Sequence, residues 1–231
     1  MNTDIETGIK QIKENIAAAL KRTLKTDKVT LLAATKTVPS AIINETCRKY
    51  GISTAGENRV QELLSKYEEL DKENIDLQFI GKLQTNKVKY IIDKVSMIHS
   101  LDTLNLAKEI DKQAKKINKP MNVLVEINSG NEISKSGVNL DEVEDFILEL
   151  EQFEFLKVRG LMTIGPIFSK ENEYRELFGK VYEKFVYLKE KNLPFASMDY
   201  LSMGMSANYE IAIEEGANMV RIGSAIVGKR N

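Results

Sequence analysis

Eight short apolar runs, separated by longer segments of helical periodicity, recur along this chain, and that alternation limits its fold more than any other feature. The runs are Val29–Thr35, Gly51–Ala55, Leu77–Ile80, Met97–Ser100, Met121–Ile127, Val158–Ile164, Met198–Ser202 and Asn218–Ile222. Runs of this length suit strands buried on both faces, and apolar residues three and four apart suit helices with one buried face. Pro39 pre-sets φ for the start of a helix, and Gly51 can close it in the left-handed conformation. From about Arg59 to Leu70, the side chains of Val60, Leu63, Leu64 and Tyr67 share one face. Asp102 or Thr103 can cap a helix that stops before Pro120. "NLDEVEDFILELEQF" and "KENEYRELFGKVYEKFVYLKEKN" supply two more, the second mildly weakened by Gly179.

A strand followed by a helical segment, repeated eight times, predicts an α/β fold of the (β/α)8 TIM-barrel type. A length of 231 residues suits a single domain of that kind, residues 1–231. A doubly wound open sheet competes, but there is no Gly-rich dinucleotide turn to support it. Only "GSAIVGKRN" follows the last strand, whereas an amphipathic segment from about Thr3 to Leu24 precedes the first. That N-terminal helix, within residues 1–24, is expected to pack where the outer ring would otherwise be short.

Composition narrows the function. A formal net charge of −1 argues against a general nucleic-acid binder. Cys47 is the only cysteine, so no intrachain disulfide can form and a reducing cytoplasm is the expected compartment. No stretch reads as a signal peptide or as a membrane span. With His99 the only histidine, neither a His-rich metal site nor a Ser-His-Asp triad is expected.

In a barrel, the C-terminal ends of the strands and the loops after them build the active face. Lys36 ends the first strand, where partial desolvation would free its amine for Schiff-base chemistry; the simpler reading is a lysine emerging into water. The loops after the last two strands hold Ser206 in "MSAN" and Gly223 and Ser224 in "RIGS". Phosphate sites in barrels often form there, glycine admitting the anion to the backbone and serine adding a donor. Either serine could instead be a helix N-cap. A phosphate site next to a reactive lysine suits a phosphorylated aldehyde, which points to pyridoxal phosphate. Arg221 could pair with a carboxylate in the mouth, and His99 could line the mouth but reads rather as satisfying a local bond. Lys135 in "SKSG" could belong to a solvated turn, and Lys82 and Lys87 are assigned no role.

Taken in order, "AATKTVP", "GENRVQE", "FIGKLQTNK", "EINSGNEISKSG", "RGLMTI" and "LSMGMSANYEIAIEEGANMVRIGSAIVG" closely resemble the pyridoxal phosphate homeostasis proteins over nearly the whole chain. The resemblance implies a fold-type III barrel, like the isolated barrel domain of alanine racemase, that holds the cofactor as an aldimine on Lys36. It further implies that Ser206, Gly223 and Ser224 bind the phosphate and that Arg221 faces the pyridine nitrogen. Asn58 and Met203 match positions expected to line the pocket. The commoner family forms "AVSKT", "FGEN" and "MSADY" differ here only around those groups.

A permanently charged arginine at the pyridine nitrogen disfavours its protonation and weakens the electron sink. Racemisation needs acid/base groups on both faces of the substrate, and a chain expected to be one barrel domain is not expected to bring the second. The expected function is therefore a cytoplasmic, monomeric, non-catalytic protein that carries or buffers pyridoxal phosphate in vitamin B6 and amino-acid homeostasis. Its expected recipients are apo-enzymes that depend on the cofactor, with no nucleic-acid or membrane partner. The alternatives are a weak racemase or lyase using the cofactor, and a Schiff-base aldolase without one.

Overall fold

The computed structural model describes residues 3–129 and 136–223. Its strands are β1 (Thr30–Ala34), β2 (Thr54–Glu57), β3 (Asp76–Phe79), β4 (Met97–Leu101), β5 (Met121–Asn128), β6 (Val138–Asn139), β7 (Leu156–Thr163), β8 (Ala196–Met205) and β9 (Met219–Ile222). All pairings are parallel, in the order β4-β3-β2-β1-β9-β8-β7-β5, and β4 also pairs with β5. That last pairing closes eight strands into a barrel. The two-residue β6 pairs only with the end of β5, outside the ring.

The expected eightfold alternation is therefore present, with local differences. The second strand begins at Thr54 rather than Gly51, because Gly51 is used as the left-handed cap (φ 61°) of α2 (Ser40–Tyr50). The other helices are α1 (Thr3–Lys21), α3 (Val60–Lys66), α4 (Leu104–Lys116), α5 (Val143–Glu149), α6 (Glu171–Glu190) and α7 (Tyr209–Glu214). Of the two candidate caps for α4, Thr103 is the one used, its hydroxyl accepting from Leu106 N at 3.3 Å. After β3 there is only a 3-10 turn, Thr85–Tyr90, in place of a full helix. Among the described residues no helix is long and apolar enough to cross a membrane.

Alternation along each strand divides the apolar residues into two layers. Ala33, Phe79, Ile98, Val125, Leu161 and Val220 join the large cluster shared with the helices, including Leu63, Ile110 and Phe178. Leu32, Ile80 and Met219 form one small separate cluster, and Met97, Leu124 and Met162 form another. These plug the barrel interior, so it is a packed core and not a pore. The N-terminal helix packs against the short α7. Asn15 Nδ2 donates to Tyr209 Oη at 2.9 Å, and Arg22 pairs with Glu214 at 2.5 Å.

Candidate functional site

The barrel order brings the strand ends that carry Lys36, Asn58, Ser206, Arg221 and Gly223 onto one arc. β2, β1, β9 and β8 are consecutive neighbours, with Ala34 paired to Gly56, Ala33 to Ile222 and Arg221 to Met205. Lys36 follows β1, Asn58 follows β2, Gly223 follows β9 and Ser206 follows β8. Their backbones thus converge on the same end of the barrel, the end where such folds carry their chemistry. Ser224 and Lys135 lie outside the described residues.

Lys36 is exposed, and its amine makes no hydrogen bond or ion pair with the described residues. Ser206 is also exposed and is not the helix cap: α7 starts at Tyr209, and the capping position belongs to Asn208. The Asn208 side chain instead ties down the turn, Oδ1 accepting from Met205 N at 2.8 Å. Ser206 is thereby presented on a braced turn, its hydroxyl unengaged by any of the described residues. At Gly223 a Cβ would stand 3.0 Å from the Ala34 carbonyl oxygen, so the backbones of β9 and β1 approach too closely there for a comfortable side chain.

Met203 departs from the expectation that it lines the pocket. Ser202 points inward, as its hydroxyl takes a bond from Arg221, so the next side chain along the strand points outward. Met203 is accordingly 0% exposed and belongs to the large cluster shared with the helices.

Arg221 is buried inside the barrel beneath the mouth. Its Nη1 donates to the Ser202 carbonyl at 2.9 Å and to Ser202 Oγ at 2.7 Å, and its Nη2 donates to the Thr163 carbonyl at 2.9 Å. Its direct partners are neutral oxygens rather than a carboxylate; Glu126 on β5 acts on it only through its charge. Burial brings the guanidinium down to about 10, with Glu126 opposing, so it remains a cation at neutral pH.

His99 is fully buried on β4. Gln78 Nε2 donates to Asp76 Oδ2 at 2.7 Å, so Gln78 Oε1 is the atom left to accept from His99 Nε2, 2.6 Å away. The other ring nitrogen is then an unprotonated acceptor, with no partner among the described residues. The local bond expected for His99 exists at one nitrogen only. Burial, reinforced by the Arg221 charge, holds the imidazole neutral down to about 3.

Sequence reasoning missed the carboxylates of this mouth. Glu126 is buried and accepts from Ser136 Oγ at 3.1 Å, and both Glu126 and Asp102 are raised above the ordinary carboxylate range, chiefly by burial. Position at a strand end was the available signal, since Glu126 opens "EINSGNEISKSG" and Asp102 follows "HSL". A cleft of about 580 Å³ lined by Lys157, Leu193 and Ser197 opens at the starts of β7 and β8. It lies at the opposite end of the barrel and gathers none of these groups.

Comparison with known proteins places the chain. Residues 8–231 match the family described as alanine racemase, N-terminal domain. The chain is 45% identical over 227 residues to the pyridoxal phosphate homeostasis protein of Aquifex aeolicus, covering 96% of both chains. Its structure is similar to that of PipY from Synechococcus elongatus with pyridoxal phosphate bound, at a TM-score of 0.78 and 29% identity, covering 92% of this chain and 98% of that one. Alanine racemase of Clostridium difficile shares the fold alone, at a TM-score of 0.70 and 16% identity, covering 97% of this chain and 60% of that one. A closed eight-stranded parallel barrel with this arc of strand-end residues, matched over nearly its full length by such relatives, belongs to the pyridoxal phosphate homeostasis protein family.

Proposed function

We propose that the protein binds pyridoxal phosphate in the barrel mouth, held through a Schiff base on Lys36 Nζ, and that it carries or buffers the cofactor without fast catalysis. The observation behind this reading is that an exposed lysine amine, unengaged among the described residues, shares one arc of the mouth with a buried arginine and a braced serine turn. The donor set fits the cofactor: an amine for the aldehyde, hydroxyl and backbone donors at Ser206, Gly223 and Ser224 for the phosphate, and a cation for the ring nitrogen. Asn58 borders the same mouth. The likeness to PipY, whose structure holds pyridoxal phosphate, supports the assignment.

When bound, the cofactor supplies an aldehyde that condenses with amines and a ring that can accept electrons. Arg221 is a cation fixed by three hydrogen bonds, and a cation at the ring nitrogen opposes protonation there. Lys36 supplies one acid/base group at an open, exposed position, an arrangement suited to loading and release.

Absorption spectra with and without borohydride, followed by peptide mapping, test the assignment. Reduction should trap the cofactor on Lys36; a label mainly on another lysine, or an undiminished Schiff-base band in Lys36→Ala, would sink it. The loaded protein should also pass its cofactor to a dependent apo-enzyme while showing negligible turnover of common amino acids. Lys36-dependent turnover approaching about 1–10³ per second would favour a racemase-like enzyme instead.

The phosphate contacts give a second prediction. Charge-assisted hydrogen bonds are worth about 1.5–3 kcal/mol each, so Ser206→Ala combined with Ser224→Ala should weaken binding at least about tenfold. Equal affinity of the unmodified protein for pyridoxal and for its phosphate would reject this part of the site.

A further inference from the structure

We propose that Lys66 is a positioning residue for Lys36, acting through the two peptide groups that flank it; this rests on Lys36 being the cofactor lysine. Lys66 lies at the end of α3, and its ammonium is buried beneath the turn after β1. Its three N–H groups meet three oxygens: the Thr35 carbonyl at 3.0 Å, Glu57 Oε1 at 2.9 Å and Glu62 Oε1 at 2.7 Å. The same Glu62 oxygen accepts the Thr37 backbone N–H. The carbonyl just before Lys36 and the amide just after it are therefore tied to one cation, directly on one side and through Glu62 on the other.

The backbone shows why a clamp is needed. Thr37 has φ 65°, a left-handed conformation that a β-branched residue adopts only when its surroundings hold it. Burial alone would raise Glu62, but the Lys66 ammonium and the Thr37 N–H outweigh it and keep the carboxyl below its usual range. Glu57 is 0% exposed; it takes the Thr35 hydroxyl at 2.7 Å as well as Lys66, and its second oxygen has no partner among the described residues. Without Lys66, the Thr35 carbonyl and Glu57 lose their shared donor and Glu62 loses its anchor. Thr37 can then relax, turning the Cα from which the Lys36 amine projects. Misplacing a reacting group by a small distance carries a large penalty.

The test compares the full-length protein with Lys66→Met, Glu62→Ala and Glu62→Gln. Pyridoxal phosphate is titrated while absorption is followed across pH, borohydride labelling is mapped, and circular dichroism and thermal unfolding report the fold. Lys66→Met and Glu62→Ala should bind at least about tenfold more weakly, spread the label to other lysines, and shift the pH dependence of the Schiff-base absorption. Glu62→Gln keeps an oxygen that accepts from both Lys66 and Thr37, so it should stay within about twofold of the unmodified protein. If Lys66→Met does not fold, the Glu62 pair decides. Glu62→Ala behaving like Glu62→Gln, whether both bind well or both poorly, would overturn the positioning role while leaving the Lys36 assignment standing. Absence of a Lys36 label in the unmodified protein would overturn both.

Discussion

Replacing Arg221 by methionine is expected to cost about 3–5 kcal/mol of unfolding free energy, even with no ligand bound. Arg221 is 4% exposed, and its three hydrogen bonds join β9 to β8 and β7 across the barrel interior. Methionine fills much of the volume but leaves the Thr163 carbonyl and both Ser202 oxygens without these bonds, and Glu126 without its buried counter-charge. A domain is commonly stable by only about 5–15 kcal/mol, so the loss would be a large share of the total. Ser202→Ala removes one of the acceptors and should cost only about 1–2 kcal/mol. Urea unfolding at neutral pH measures both. A loss below about 1 kcal/mol for Arg221→Met would show that the interior polar layer is not held by this residue.

His99 should make the fold sensitive to mild acid. Native His99 stays neutral down to about 3, whereas in the unfolded chain an imidazole binds a proton below about 6.5. Between those values the unfolded state holds the extra proton. Stability is thus complete above the unfolded value and falls as pH drops through the window. From pH 7 to pH 5 the loss from this group alone comes to about 2 kcal/mol. The raised carboxylates Glu57, Asp102 and Glu126 act in the opposite direction, so the comparison must isolate the imidazole. His99→Gln, which does not titrate, should lose about 2 kcal/mol less than the unmodified protein between those pH values. Parallel pH slopes for the two proteins would refute the account.

Residues whose environment is set by their own stretch of chain were legible in the sequence. β1, β5 and β9 lie within a residue of the apolar runs that predict them, and Pro39, Gly51 and Thr103 bound their helices as their chemistry suggests. The start of β2 was misplaced because Gly51, Ile52 and Ser53 read as strand, although the glycine is needed by the helix before it. β6 has two residues, too few to show a period. Met203 was placed in the pocket by resemblance, and only the inward turn of Ser202 reveals which way it faces. The hardest residue to read was Lys66. In "LLSKYEE" it looks like any solvated helix lysine, and its burial depends on β1 and β2 arriving above it. Glu126, His99 and Arg221 likewise acquire their character only when distant strands close around them.

The pairing of Thr30 with Met219 joins the first strand of the ring to the last. Lys36 stands on one side of that seam, and Arg221, Gly223 and the Ser206 turn stand on the other. Contacts between segments so far apart in sequence form slowly, because a long loop must be closed before they can reward it. During synthesis the two halves of the mouth therefore come together only after β9 has emerged. A ligand that touches both sides binds the closed ring and not the open one, and it adds stability in proportion to RT ln(1 + [L]/Kd). Its supply would then govern how long each newly made barrel stays shut, coupling the lifetime of the protein to the abundance of what it holds.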